Sequence, residues 1–185
     1  MKTVERSEIL DYVTYEERRG AIREAAMRAK DARRVHVARH LTFLFENRDT
    51  IRYQIQEMVR AERMVREADI AHEIETYNEL IGTGGDLGCT LLVEVDDPAA
   101  RAEKLARWLD LPRRLYVTLE DGTKVRAVFD ERQVGDARVS SVQYLKFPVG
   151  GKTPVAVGCD LPDSDVGGET PLGPEQRAAL AADLS

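Results

Sequence analysis

The chain has 185 residues, 43% hydrophobic and 32% charged, with 13 Gly and 7 Pro, which excludes a collagen-like, mucin-like or wholly disordered protein. Two cysteines, Cys89 and Cys159, are too few for the four thiolates of a cubane iron–sulfur cluster or for a disulfide-stapled scaffold. A reducing cytoplasmic setting and no bound cofactor are therefore expected. The net charge of -6 speaks against a general nucleic-acid binder, and no apolar run reaches the length of a signal peptide or a membrane span.

The charge is uneven. Residues 18 to 40 carry eight Arg or Lys against Glu24 and Asp31, whereas residues 160 to 185 carry six acids against Arg177, so the two ends can attract each other. Residues 15 to 34 read as a helix with Tyr15, Ile22, Ala25, Ala26, Ala29 and Ala32 on one side. That alanine face lets a neighbour approach closely. From Val35 to Phe45 the period becomes that of a half-buried strand, or of two, with a continued helix as the alternative. Asn47 or Asp49 then caps a helix over 49 to 66 whose stripe is Ile51, Ile55, Met58, Val59 and Val65. A second helix spans about 69 to 81 and ends at Gly82-Thr-Gly-Gly85.

Beyond Thr90 the pattern is mainly β. TLLVEVD is a strand, Asp97-Pro98 opens a helix to about Leu109, and LYVTL and KVRAVF form a hairpin around Asp121-Gly122. VSSVQYLKF and VAVGCDL suggest a second hairpin around Gly150-Gly151. Residues 162 to 172 read as a loop, and Pro174 starts a short helix. The fold class is α+β: N-terminal helices packed on a mainly antiparallel sheet of about five strands with one crossover helix. One domain over 1–185 is expected, with a helical half to 83, a β half over 84–161 and an acidic tail from 162 to 185.

Three segments carry a family resemblance: ENRDTIRYQIQEMVRAERM (46 to 64), ETYNELIGTGGDLGCTLLVEV (75 to 95) and SSVQYLKFPV (140 to 149). In this order and spacing the chain resembles the bacterial family catalogued as domain of unknown function 3501. The resemblance implies an accessory part in redox or oxidative-stress physiology, with a rubrerythrin-like or heterodisulfide-reductase-like iron–sulfur protein as partner.

Among polar residues, Glu62 stands out because the helical wheel places it inside the apolar stripe of its helix. A carboxylate there needs a partner. Gln54 and Glu73 could face the same seam, and Arg18 and Arg33 fall on the alanine face of the first helix. These five residues form either a buried ion-pair network fixing helix register or the lining of a ligand or metal pocket. His36 and His40 are weak metal candidates, since nothing nearby in sequence completes a ligand set. Asp69 and His72 are similar in spacing to the acid-x-x-His element of diiron bundles, whose remaining glutamates are missing. The cluster Arg18, Arg19, Arg23, Arg28, Lys30, Arg33, Arg34 and Arg39 offers nucleic-acid binding as a further alternative, against a solvated or internally paired face. The glycines 82 to 85 follow a helix and precede a strand, the reverse of a phosphate loop. The leading functional expectation is a non-catalytic accessory protein, and its rival is an enzyme or ligand-binding protein using a pocket at Glu62.

Overall fold

The N-terminal helix starts at Asp11, whose Oδ1 accepts the amides of Val13 and Thr14 at 3.0 Å each. Helix α1 (Tyr12–Asp31) follows in the computed structural model, which describes all 185 residues. The alternating segment after it divides into β1 (Arg34–Val37) and β2 (Leu41–Glu46), because Ala38 takes a left-handed φ of 51° and turns the chain into a hairpin. Asn47 caps α2 (Arg48–Ala61) by accepting the Thr50 amide at 3.0 Å, and α3 (Glu67–Asn78) lies against it.

The remaining elements in chain order are β3 (Leu87–Val93), α4 (Pro98–Arg107), β4 (Leu115–Leu119), β5 (Lys124–Arg126), β6 (Val128–Phe129), β7 (Val142–Phe147), β8 (Pro154–Cys159), β9 (Gly168–Pro171) and α5 (Pro174–Leu184). The strands form two antiparallel sheets, ordered β1-β2-β3-β7-β6 and β5-β4-β8-β9. The architecture is thus α+β, with the β portion divided between two sheets and α4 crossing from one to the other. The Asp121-Gly122 hairpin forms as expected, with Val117 opposite Val125. The chain then changes sheet at Ala127, so that KVRAVF contributes to both.

The second expected hairpin does not form. β7 pairs with β3, while β8 pairs with β4 and β9. Each strand has a face to bury, and Gly150 and Gly151, with φ of 59° and 77°, turn the chain between sheets instead of within one. The segment read as a loop after 162 contains β9, where Thr170 stands opposite Val157.

Two apolar clusters result. The larger lies between the sheets, with Phe43, Phe45, Leu91, Leu145 and Phe147 in one cluster with Leu115, Val117 and Val157. Each such side chain contributes roughly 1.5–3 kcal/mol by leaving water. Trp108 is buried at the end of α4, its indole donating to Asp163 at 2.8 Å. The smaller cluster joins Val4 and Ile9 to Ile51, Ile55 and Val59 of α2 and Ile70 and Ile74 of α3. The outer face of the five-stranded sheet therefore sits under the helices, and it is not wholly apolar. No helix is long and apolar enough to cross a membrane.

Candidate functional site

β alternation places Leu44 and Glu46 of β2, Thr90 and Leu92 of β3, and Val142 and Tyr144 of β7 on the sheet face below the helices. Lys30 of α1, Ile51 and Gln54 of α2, and Tyr77 and Leu80 at the end of α3 close over them. They enclose a cleft of about 290 Å³. Its walls are mostly apolar, and two opposite charges stand in it, which is the composition of a small-molecule site. Tyr144, 41% exposed, marks the rim. There a second cavity of about 370 Å³ shares Leu80 and Tyr144 and extends to Val128 and Phe129.

The buried Glu46 is held from two sides. Its Oε2 accepts the Thr50 hydroxyl at 2.5 Å and its Oε1 accepts the Thr90 hydroxyl at 2.7 Å. The Lys30 ammonium lies 5.2 Å from the ring centre of Tyr53 and has no carboxylate within ion-pair distance. Burial pushes its pKa below the ordinary lysine value, attraction to Glu46 opposes this, and repulsion from Arg34 adds to it. Burial raises the Tyr77 hydroxyl pKa, and a hydrogen bond with Gln54 partly offsets that rise. The cleft therefore presents a weakly solvated ammonium, a fixed carboxylate and phenol hydroxyls around an apolar floor.

Of the residues singled out in the sequence, Gln54 lines this cleft. Glu62 does not. Helix α2 stops at Ala61, Glu62 becomes its exposed C-cap, and Arg63 adopts a left-handed φ of 48° that turns the chain away. Val65, assigned to the same stripe, is 73% exposed for the same reason. Glu73 is half-buried on α3 outside the cleft lining, and Arg18 is exposed on α1. Arg33 is buried and pairs with Asp183, at 2.7 Å from Nε and 2.9 Å from Nη2. His36 bonds Thr42 at 2.8 Å and His40 bonds the Glu94 carbonyl at 2.7 Å, on either side of the β1–β2 turn. No group of three or more His, Cys, Asp or Glu side chains is arranged to hold a metal ion.

Half of the basic cluster is paired within the chain. Arg19 pairs with Glu57, Arg28 with Glu24, Arg33 with Asp183 and Arg34 with Asp31. Attraction between the basic segment and the acidic tail comes down to Arg33 and Asp183. Asp160 instead meets Arg126, Asp163 meets Arg107, and Asp165 meets Lys104. The alanine face of α1 does not pack flush either: Ile22, Ala25, Ala26 and Ala29 line a groove of about 350 Å³ against Arg52 and Tyr53.

Lys30 and Glu46 were not recognisable as a site from the sequence. Lys30 is one of eight cations in its segment, and Glu46 adjoins a strand whose reading ends at Phe45. The one local signal is that Leu44 and Glu46 share a strand face with Thr50 one helical turn beyond.

These features define a class: an α+β protein with a two-sheet apolar core and a helical roof over a mostly apolar cleft, lined also by a lysine and a glutamate, on one outer sheet face. The chain belongs to the family described as Protein of unknown function (DUF3501), whose model matches residues 3–184. It is similar to a protein of unknown function from Burkholderia pseudomallei known from a crystal structure, with 30% identity and a TM-score of 0.90 over 100% of both chains. No curated protein matches it.

Proposed function

We propose that this is an accessory protein that binds a small molecule, with the cleft between α1, α2, α3 and the five-stranded sheet as the binding site. The observation that carries this is Lys30, a half-buried cation without a carboxylate partner, facing the same apolar-walled space as Glu46. A purely structural pair would meet in an ion bridge, as Arg33 and Asp183 do. Native mass spectrometry of freshly purified protein and thermal shifts across a metabolite panel test the assignment. A bound molecule stabilises the fold by about 2.7 kcal/mol at a hundred times its Kd. Absence of both a co-purifying molecule and any ligand-dependent shift overturns it.

The resemblance adds a partner, a rubrerythrin-like or heterodisulfide-reductase-like iron–sulfur protein. The cysteines favour an accessory place beside it over thiol exchange. Burial holds the Cys89 thiol well above its ordinary pKa and pushes Cys159 up to about 11, so neither supplies a thiolate near neutrality. Anaerobic co-purification followed by mass spectrometry checks the partnership, and failure to recover an iron–sulfur protein of either kind counts against it.

A further inference from the structure

The charges inside the cleft differ in what already contacts them. Both oxygens of Glu46 accept threonine hydroxyls, from Thr90 at 2.7 Å and from Thr50 at 2.5 Å. Lys30 makes no such hydrogen bond or ion pair, and its ammonium lies over the face of Tyr53, 5.2 Å from the ring centre, with Glu46, Glu57 and Arg34 acting on it only at longer range. Its neighbours in sequence are satisfied: Arg28 has Glu24, Arg33 has Asp183 and Arg34 has Asp31. The Lys30 side chain is half-buried, and Glu46 attracts it without meeting it in an ion bridge, so an anion brought by a ligand completes the pairing.

We propose that the cleft takes a small organic carboxylate, its carboxylate paired with the Lys30 ammonium and its apolar body laid on Leu44, Leu92 and Val142. This rests on the cleft being the ligand site. A single negative charge fits the single cation, because Glu46 lines the same space and repels a second one. A lysine ammonium is a point charge that does not demand the planar, two-pronged partner preferred by arginine. The volume of about 290 Å³ lies at the small end of ligand pockets, which restricts the body to a short chain or one ring. Tyr77 and Tyr144 also line the cleft, and their phenols are the polar groups on offer to a substituent on that body.

Calorimetric titration of the intact protein with hexanoate and 3-phenylpropionate, each beside the alcohol and the amine of the same carbon skeleton, tests the proposal. The carboxylates should bind at least about tenfold more tightly than the alcohols, the scale of one charge-assisted hydrogen bond, with the amines weakest. Lys30→Met should abolish this preference and Lys30→Arg should retain it, with melting curves confirming that both variants are folded. Backbone NMR shifts at Leu44, Thr90 and Val142 locate the bound probe. An alcohol or amine binding as tightly as its carboxylate at those resonances overturns the carboxylate assignment while leaving the cleft a ligand site. Carboxylate binding unaffected by Lys30→Met overturns the assignment as well. Silence at those resonances with every probe overturns the assignment together with the cleft itself as the site.

Discussion

Arg33 and Asp183, 150 positions apart, meet in a buried two-pronged ion pair, and Asn47 donates to the same carboxylate at 3.3 Å. The pair ties the α1–β1 junction and the cap of α2 to the last turn of α5. It is therefore the point where the C-terminal helix is fastened to the helical layer. Their side chains are only 11% and 7% exposed, so removing one partner strands the other charge. Asp183→Ala should lower stability by about 3–5 kcal/mol. Arg33→Met combined with Asp183→Leu should recover most of that loss, because two apolar side chains leave no uncompensated charge. Urea unfolding midpoints of the two variants, compared with the parent, decide it. Additive losses in the double variant would rule this account out.

Glu57 joins α1 to α2. Its carboxylate accepts Arg19 at 2.8 and 2.9 Å and the Tyr15 hydroxyl at 2.5 Å. The Arg19 hydrogen bonds, aided by Tyr15 and by charge attraction, hold its pKa at about 2, below an ordinary value of 4.5. A depressed carboxylate pKa contributes stability that is fully present above the unfolded value and is lost as pH falls through the folded one. Stability should therefore decline between pH 4.5 and about 2. Glu57→Gln should be less stable at neutral pH and show a flatter curve across that window. Denaturant midpoints measured at several acidic pH values give the comparison, and parallel curves would remove Glu57 from the acid response.

The positions of the elements were legible because their apolar periods are strong, as with Ile51, Ile55 and Val59 or the alternation through Phe43 and Phe45. Glu62 shows where periodicity misleads. A wheel drawn through residue 66 assumes that the helix continues, but α2 ends at Ala61 with neither glycine nor proline to announce it. The left-handed residue is Arg63, a type that rarely adopts that conformation. Arg33 was expected to meet Glu62, but its partner is Asp183, 150 positions away in sequence. Thr90 reaches Glu46 only because β3 pairs with β2, a long-range register that no local pattern encodes.

Gly88 sets the height of the roof at one end of the cleft. A Cβ at this position would stand 1.8 Å from the Leu80 carbonyl oxygen and 3.1 Å from the Gly82 amide nitrogen, both backbone atoms. Leu80 lines the cleft, so relief of that clash must displace the segment following α3. Gly88→Ala should cost about 3 kcal/mol, the upper range for overpacking, and weaken probe binding as well. Gly20 is the contrast. It lies inside α1 with nothing within 4 Å of its Cβ position, and Gly20→Ala should stabilise by about 0.5–1 kcal/mol without touching the cleft. Thermal melts of the two variants should move in opposite directions, and similar shifts would show that the close approach at Gly88 is not what fixes the loop.

Lys30 should show the opposite balance between stability and binding. Its folded pKa lies below the ordinary 10.5, with burial the largest cause, so the free protein bears a cost for keeping the ammonium charged. For a lysine shifted downward the unfolded chain binds the proton more tightly, and stability rises with pH between the folded pKa and 10.5. Lys30→Met removes the cost and should raise Tm at neutral pH by up to about 3 °C, the change that roughly 1 kcal/mol produces in a chain of this size. The same variant should lose carboxylate binding, so the residue that makes the empty cleft less stable is the one that makes the filled cleft bind. In the parent protein, affinity for 3-phenylpropionate should fall as pH rises through the lowered pKa, at a pH below that of an ordinary lysine. Melting curves and titrations at stepped alkaline pH measure both effects. A Lys30→Met protein with a clearly lower Tm would show that the ammonium is a structural element of the fold and not a charge held for a ligand.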